Sequence, residues 1–209
     1  MAKVTAIVRQ SKQRSRVSVF LDGEFAFGLH QDVLLDAGIA QGDQLDERQI
    51  RAVLALEEVR RAKEKALRLL AVRARSKAEL DLRLSQASLS PEAIAKVMAD
   101  LERLGLVNDA EFAASFARHR QATKPVGERR LRQELRRKGV AEGDVEYALA
   151  QAFSEVSEVE YARRLASKRK HALDETEEER AKKRVTDYLL RRGFPWDAVS
   201  DLLTQWQEL

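Results

Sequence analysis

At 209 residues, with 44% hydrophobic content, the chain is long enough for one large domain or two to four small ones and should fold. It has no cysteine and three scattered histidines, His30, His119 and His171, which excludes disulfides and thiolate chemistry and gives no metal-ligand spacing. Charged residues reach 34% with 38 Lys+Arg against 34 Asp+Glu, a near-balance that suits long exposed helices laced with i,i+4 pairs, and the net charge of +4 alone implies little. No run approaches a membrane span, and residues 4–8 alternate like a strand where a signal peptide would be continuously apolar, so a soluble cytoplasmic protein is expected.

Residues 4–8, 15–21 and 24–29 are rich in β-branched and aromatic side chains, and Asp22-Gly23 lies between the last two. Asp-Gly supplies the positive φ angles of a two-residue hairpin turn, and that register places Phe20 opposite Phe25. A small β-hairpin or three-strand unit is expected over 1–45. From Asp46 onward Ala, Leu, Glu, Lys and Arg dominate, and the rest should be helical. Ser76 with Glu79, Asn108 with Glu111 and Thr176 with Glu179 have the spacing of helix N-caps, and Ser90-Pro91 puts proline at a first helical position. Gly105-Leu106, Gly139-Val140 and Gly193-Phe194 each place a glycine, then an apolar residue, where a helix would end in a left-handed residue.

A repeat organises the helical part. Leu80, Leu84, Leu89, Ile94, Met98 and Leu101 recur 51 positions later as Leu131, Leu135, Val140, Val145, Leu149 and Ala152. They recur again 54 positions further as Val185, Leu189, Phe194, Val199, Leu203 and Trp206. Leu70-Ala71, Phe116-Ala117 and Leu165-Ala166 mark a helix preceding each set, which gives three tandem three-helix repeats: 46–107 with its lead-in helix, 108–157 and 158–209. One such unit buries too little apolar surface to stand alone, so the fold class is mostly α with the repeats stacked into an elongated, curved array.

Charge is uneven along the repeats. Between Arg118 and Lys138 nine Lys/Arg face only Glu128 and Glu134, a stripe without the intrinsic pairing of a merely solvated helix face. Arg163, Arg164, Lys168, Arg169 and Lys170 form a second cluster, and Lys182, Lys183, Arg184, Arg191 and Arg192 a third. Such surfaces bind phosphodiester backbones or acidic protein grooves, with salt-sensitive affinity. Phe116 and Tyr188 sit at periodic apolar positions and are assigned to the core, so base-stacking readout is not supported. Trp206 falls on the apolar register and is expected in the core; Trp196, after Pro195, fits core or partner contact equally. The acidic run Asp174 to Glu179 fits the positive end of a helix dipole better than a metal site. No Ser/His/Asp arrangement, P-loop or glycine-rich nucleotide loop is present, so the chain offers no chemistry to an enzyme and no cofactor is implied.

The string Gly105-Leu106-Val107-Asn108-Asp109-Ala110-Glu111-Phe112-Ala113, the segment Gly127 to Val140 (GERRLRQELRRKGV) and the upstream Arg75-Ser76-Lys77-Ala78-Glu79-Leu80 together resemble the signature of the RecX family of bacterial regulatory proteins. The resemblance covers the chain from about residue 60 to its end, and the β-rich start is similar to that of longer family members. It implies tandem three-helix repeats that bind the RecA recombinase filament on single-stranded DNA and modulate, by inhibition above all, its strand exchange and ATPase, without catalysis of their own. The residues expected to contact the filament or its DNA are Arg129, Arg130, Arg132, Arg136, Arg137 and Lys138, with Arg163, Arg164, Lys168, Arg169 and Lys170. Phe112 and Leu135 are expected in the core, Gly139 as a helix terminator, and the chain as a monomer. The first repeat departs from this pattern, with Gln86-Ala87-Ser88 where the others have Lys-Gly or Arg-Gly. A general DNA-binding protein acting without RecA is the alternative, and a charge-solubilised adaptor a third.

Overall fold

Two residues set the N-terminal sheet: Asp22 and Gly23 take φ of 48° and 92° and close a hairpin in which Phe20 pairs with Phe25, their rings edge to face at 5.9 Å. The fold is that of a computed structural model, which describes residues 1–173 and 176–209. Strands β1 (Ala2–Arg9), β2 (Arg16–Leu21) and β3 (Glu24–His30) form the expected antiparallel meander. A fourth strand, β4 (Gln44–Leu45), pairs with the start of β1, giving the order β3-β2-β1-β4. Helix α1 (Gln31–Asp36) follows β3 directly, its first turn capped by the His30 ring. Alternate strand residues Val4, Val17, Val19, Phe27 and Leu29 point inward onto Val33, Leu45 and Val53, the last from helix α2 (Glu47–Val72). Glu57 of α2 is buried beneath the sheet, where it accepts from Arg16 at 2.6 Å and from the backbone N–H of His30 at 2.7 Å. A buried carboxylate so paired keeps its cost low.

The remainder is helical: α3 (Lys77–Ser85), α4 (Pro91–Arg103), α5 (Asp109–Thr123), α6 (Glu128–Arg137), α7 (Glu142–Ala152), α8 (Glu158–His171), α9 (Glu178–Arg191) and α10 (Trp196–Thr204), then a 3-10 turn over Trp206–Glu208. Three of the expected caps form. Ser76 accepts from Glu79, Ser90 from Ala93 and Asn108 from Glu111. The fourth does not: α9 starts after Glu177, which makes no side-chain cap, and Thr176 lies one residue outside it. Glu178 and Glu179 of the acidic run occupy the first turn of α9 and pair with Lys182, while Asp174 and Glu175 lie outside the described residues. Gly105, Gly139 and Gly193 all take positive φ, and the N–H of the residue after each glycine closes back five residues, as at Leu106 to Leu101 and Phe194 to Leu189.

The three-copy register holds in the core. Of its eighteen positions every one is buried except Leu203, which is half-buried beside buried Leu202. The lead-in helices align differently from the sequence expectation, because Ala71 is exposed. The equivalent buried pairs are Ala62 and Ala66, Ala113 and Ala117, and Ala162 and Ala166, all fully buried. An Ala-x3-Ala pair puts two small side chains on one helix face and lets a neighbouring backbone come close. Residues 1–73 and 80–106 form one compact unit, and residues 74–79 and 107–209 another. In the second, α5–α7 close around Phe112, Leu131, Leu135, Val140, Val145 and Leu149, and α8–α10 around Val185, Leu189, Phe194, Val199, Leu202 and Trp206. Leu135 is fully buried, so Leu135→Ala should lower unfolding free energy by about 2–5 kcal/mol, measured by urea titration.

Candidate basic binding surface

Helix α6 carries the stripe, and its position is set at its N-terminal end and along its inner face. Gln121, buried at the end of α5, exchanges two hydrogen bonds with the backbone of Val126, at 2.8 and 2.9 Å, and so fixes the loop that leads into α6. Leu131 and Leu135 then anchor its inner face, which leaves Arg129, Arg130, Arg136 and Arg137 exposed on the other. At its N-terminus the backbone N–H of Gly127 donates to Arg192 O at 2.9 Å, and that of Glu128 to Glu158 Oε1 at 2.7 Å. Arg130 reaches Arg191 O at 2.6 Å, and Arg192 reaches Pro125 O at 2.8 Å. The end of α9 is thereby laid along α6. Between them lies a cleft of about 640 Å³ lined by Arg129, Arg130, Arg132, Gln133, Glu134, Arg136, Arg137, Leu190, Arg191 and Gly193.

The stripe is more paired than its own sequence implies. Arg132 is held by Glu128 and Glu142 at 2.8 Å each and by Glu146, which together raise its pKa, Glu146 most. Arg136 donates to Glu142 through Nε and Nη2, at 2.8 Å each, and this contact holds the Glu142 carboxyl below the usual range. Glu134 takes Arg120 in a bidentate pair at 2.8 and 3.0 Å and Arg130 at 3.1 Å; the Arg120 bond above all lowers its pKa. Glu142 and Glu146 come from α7, so an argument from the acids inside the stripe misses them. Among the described residues, Arg129 and Arg137 have no side-chain hydrogen bond or ion pair, and neither does Arg191 across the cleft. The paired guanidiniums are fixed in place, and the unpaired ones are the charge available to a ligand.

The eleven residues singled out from sequence fall into three settings. Arg129, Arg130, Arg132, Arg136 and Arg137 line the α6–α9 cleft. Arg163, Arg164 and Lys168 line a separate one of about 550 Å³ with Glu160, Ser167, His171, Glu208 and Leu209. There Arg163 binds Gln205 and Arg164 binds Glu160, while Lys168 is exposed. Lys138, Arg169 and Lys170 line neither. Lys138 bonds Glu79 at 2.9 Å over the rings of Phe112 and Phe116; Arg169 lies over Tyr188, and Lys170 over Trp206, whose carbonyl it also reaches. Phe116 and Tyr188 are thus half-buried platforms for the protein's own cations. Trp206 is buried and Trp196 is 60% exposed. Leu190 and Arg191 complete the main cleft; Leu190 carries no sequence signal, and Arg191, which the sequence places in the third basic cluster, is not among the eleven, since only the folded chain brings the end of α9 to α6.

Glu158 is half-buried against the start of α6, and burial, with Glu128 and Asp197 nearby, raises its pKa against the opposing bond from the Glu128 N–H. A raised folded pKa means that the ionised group disfavours folding: the proton-linked stability is present at acid pH and is lost as pH rises through the folded value. Glu158→Gln keeps an acceptor for that N–H. It should therefore be at least as stable as the parent at pH 7, with the advantage shrinking towards pH 4, as read by denaturant midpoints at the two pH values.

Four family profiles match the chain: the regulatory protein RecX N-terminal domain over residues 2–46, and the first, second and third RecX three-helix domains over 62–101, 108–149 and 157–203. The regulatory protein RecX of Bacillus subtilis (strain 168) is 31% identical over 205 residues, 98% of this chain and 77% of that protein. That of Amycolatopsis mediterranei (strain U-32) is 42% identical over 142 residues, 66% of this chain and 79% of that one. A crystal structure of regulatory protein RecX superposes with a TM-score of 0.74 at 29% identity, covering 96% of this chain and 98% of that one. RecX from Lactobacillus salivarius, with a TM-score of 0.65 at 21% identity over 74% of this chain and 99% of that one, shares the fold. With every one of its three-helix repeats and its β-rich start matched, this chain belongs to the RecX family of regulatory proteins.

Proposed function

We propose that the protein binds the RecA recombinase filament on single-stranded DNA and inhibits its ATPase and strand exchange, acting as a monomer in the cytoplasm without a reaction or cofactor of its own. Membership of a regulatory family supports this reading, and one observation carries its location: among the described residues Arg129, Arg137 and Arg191 are uncommitted cations around a cleft whose other arginines are held rigid by acids. A cleft of that charge, with an apolar Leu190 and no aromatic residue in its lining, suits an acidic surface or a phosphate backbone rather than stacked bases. Arg163, Arg164 and Lys168 extend the same contact. The test is ATP hydrolysis by RecA on single-stranded DNA as the protein is titrated in, with binding to the same DNA alone followed in parallel. Inhibition at concentrations that leave bare DNA unbound is the expected result. Unchanged hydrolysis with tight binding to bare DNA would instead make it a general DNA-binding protein.

A further inference from the structure

The junction at the start of α6 has a twin. At the start of α3, the Lys77 N–H donates to Asp109 Oδ1 at 2.8 Å and Ser76 Oγ to Lys138 O at 2.5 Å. A Cβ built on Gly139 would meet that of Ala78 at 2.3 Å. At the start of α6, the Glu128 N–H meets Glu158, the Gly127 N–H meets Arg192 O, and a Cβ on Gly193 would meet that of Arg130 at 2.5 Å. In both, a helix N-terminus is received by an acid in the first turn of the next lead-in helix and by a left-handed glycine that ends the next second helix. In both, the N-cap of the following third helix, Ala141 or Pro195, offers no side-chain hydrogen bond. The joint is one device used twice.

The first repeat carries the same three positions in altered form. Glu58 stands 51 positions before Asp109, Ser88 before Gly139 and Ser90 before Ala141. Ser88 keeps the left-handed conformation, with φ of 54°, yet adds the Cβ that the other two sites cannot hold. Ser90 has the backbone angles of its counterparts, φ −67° and ψ 148° against −67° and 150° for Ala141 and −72° and 154° for Pro195. Its hydroxyl and N–H take both oxygens of Glu58, at 2.6 and 2.8 Å. The acid that elsewhere receives a helix terminus from the preceding repeat is here bound, through both of its oxygens, inside its own repeat. The two glutamates shift accordingly: the Ser90 hydroxyl lowers the Glu58 pKa, whereas burial raises that of Glu158.

We infer that Glu58, Ser88 and Ser90 form a closed copy of the inter-repeat joint, an end cap that refuses a further helix terminus and so stops copies of this chain from adding head to tail. A repeat face that accepts a helix from one side and offers one on the other makes a heterologous, non-closing contact, and repeat proteins need a distinct terminal unit to prevent it.

The closing chemistry can be moved into a working joint. Pro195→Ser in the full chain sets a hydroxyl and an N–H like those of Ser90 beside Glu158, and amide exchange at Glu128 should quicken about tenfold, the worth of one charge-assisted bond, while amides in the centre of α9 keep their protection. Unchanged exchange at Glu128 would overturn the inference. The parent chain should sediment as a single species across its soluble concentration range. Self-association abolished by Glu58→Ala would equally overturn it.

Discussion

Gly193→Ala should cost about 2–5 kcal/mol of unfolding free energy, the sum of a left-handed backbone at φ 86° and a Cβ placed 2.5 Å from that of Arg130. Two other glycines separate the terms. Gly105 has φ of 69° with open space around it, so Gly105→Ala should lose only about 1–2 kcal/mol, the conformational part. Gly127 has an ordinary φ of −68°, but a Cβ there would lie 2.3 Å from Gly193 O, so Gly127→Ala should lose about 1–3 kcal/mol from crowding alone. Denaturant titrations of the three variants check the ordering. Equal losses at positions 105 and 193 would show that the close approach of α6 to the end of α9 contributes nothing.

Reversing Arg129, Arg137 and Arg191 together to glutamate should leave the fold intact and weaken inhibition of RecA at least tenfold. These side chains are exposed and uncommitted among the described residues, so their loss breaks no internal bond. Close charge pairs at desolvated interfaces couple by about 1.5–7 kcal/mol, and three reversals turn attraction into repulsion. Arg132 and Arg136 are unsuitable probes. Arg132→Glu would set a carboxylate among Glu128, Glu142 and Glu146, and the folding defect would mask any effect on binding. Circular dichroism of the triple variant, paired with the RecA ATPase titration, distinguishes a lost contact from a lost fold.

What can be read from sequence is what neighbouring residues decide between themselves. The Asp22-Gly23 turn, the Phe20–Phe25 pair, the caps at Ser76, Ser90 and Asn108 and the three glycine helix ends are settled within a few residues of chain. The core register is legible because it recurs at two fixed offsets. Short elements are not: α1 and β4 have too few residues to show a period, and β4 exists only because Ala2 and Lys3 pair with it. The lead-in helix of the first repeat aligns five residues away from the sequence expectation, since Leu70 gives a stronger apolar signal than the smaller Ala62 and Ala66 that the packing requires. The stripe's acids sit on α7, and the joint's acids on α5 and α8, distances at which a sequence window has no signal. The same limit explains Ser88. A missing glycine suggests an uncapped helix end, whereas the residue is left-handed all the same, and what it lacks is room for a neighbour.

The central claim, that the α6–α9 cleft faces the RecA filament, can be tested by proximity. The chain has no cysteine, so a single introduced thiol carries a photocrosslinker to one site only. Arg137→Cys places it in the cleft, and Glu92→Cys on the exposed first turn of α4. Crosslinking to RecA or its bound DNA from position 137, with little from 92, is the predicted result; efficient crosslinking from 92 and none from 137 would contradict it.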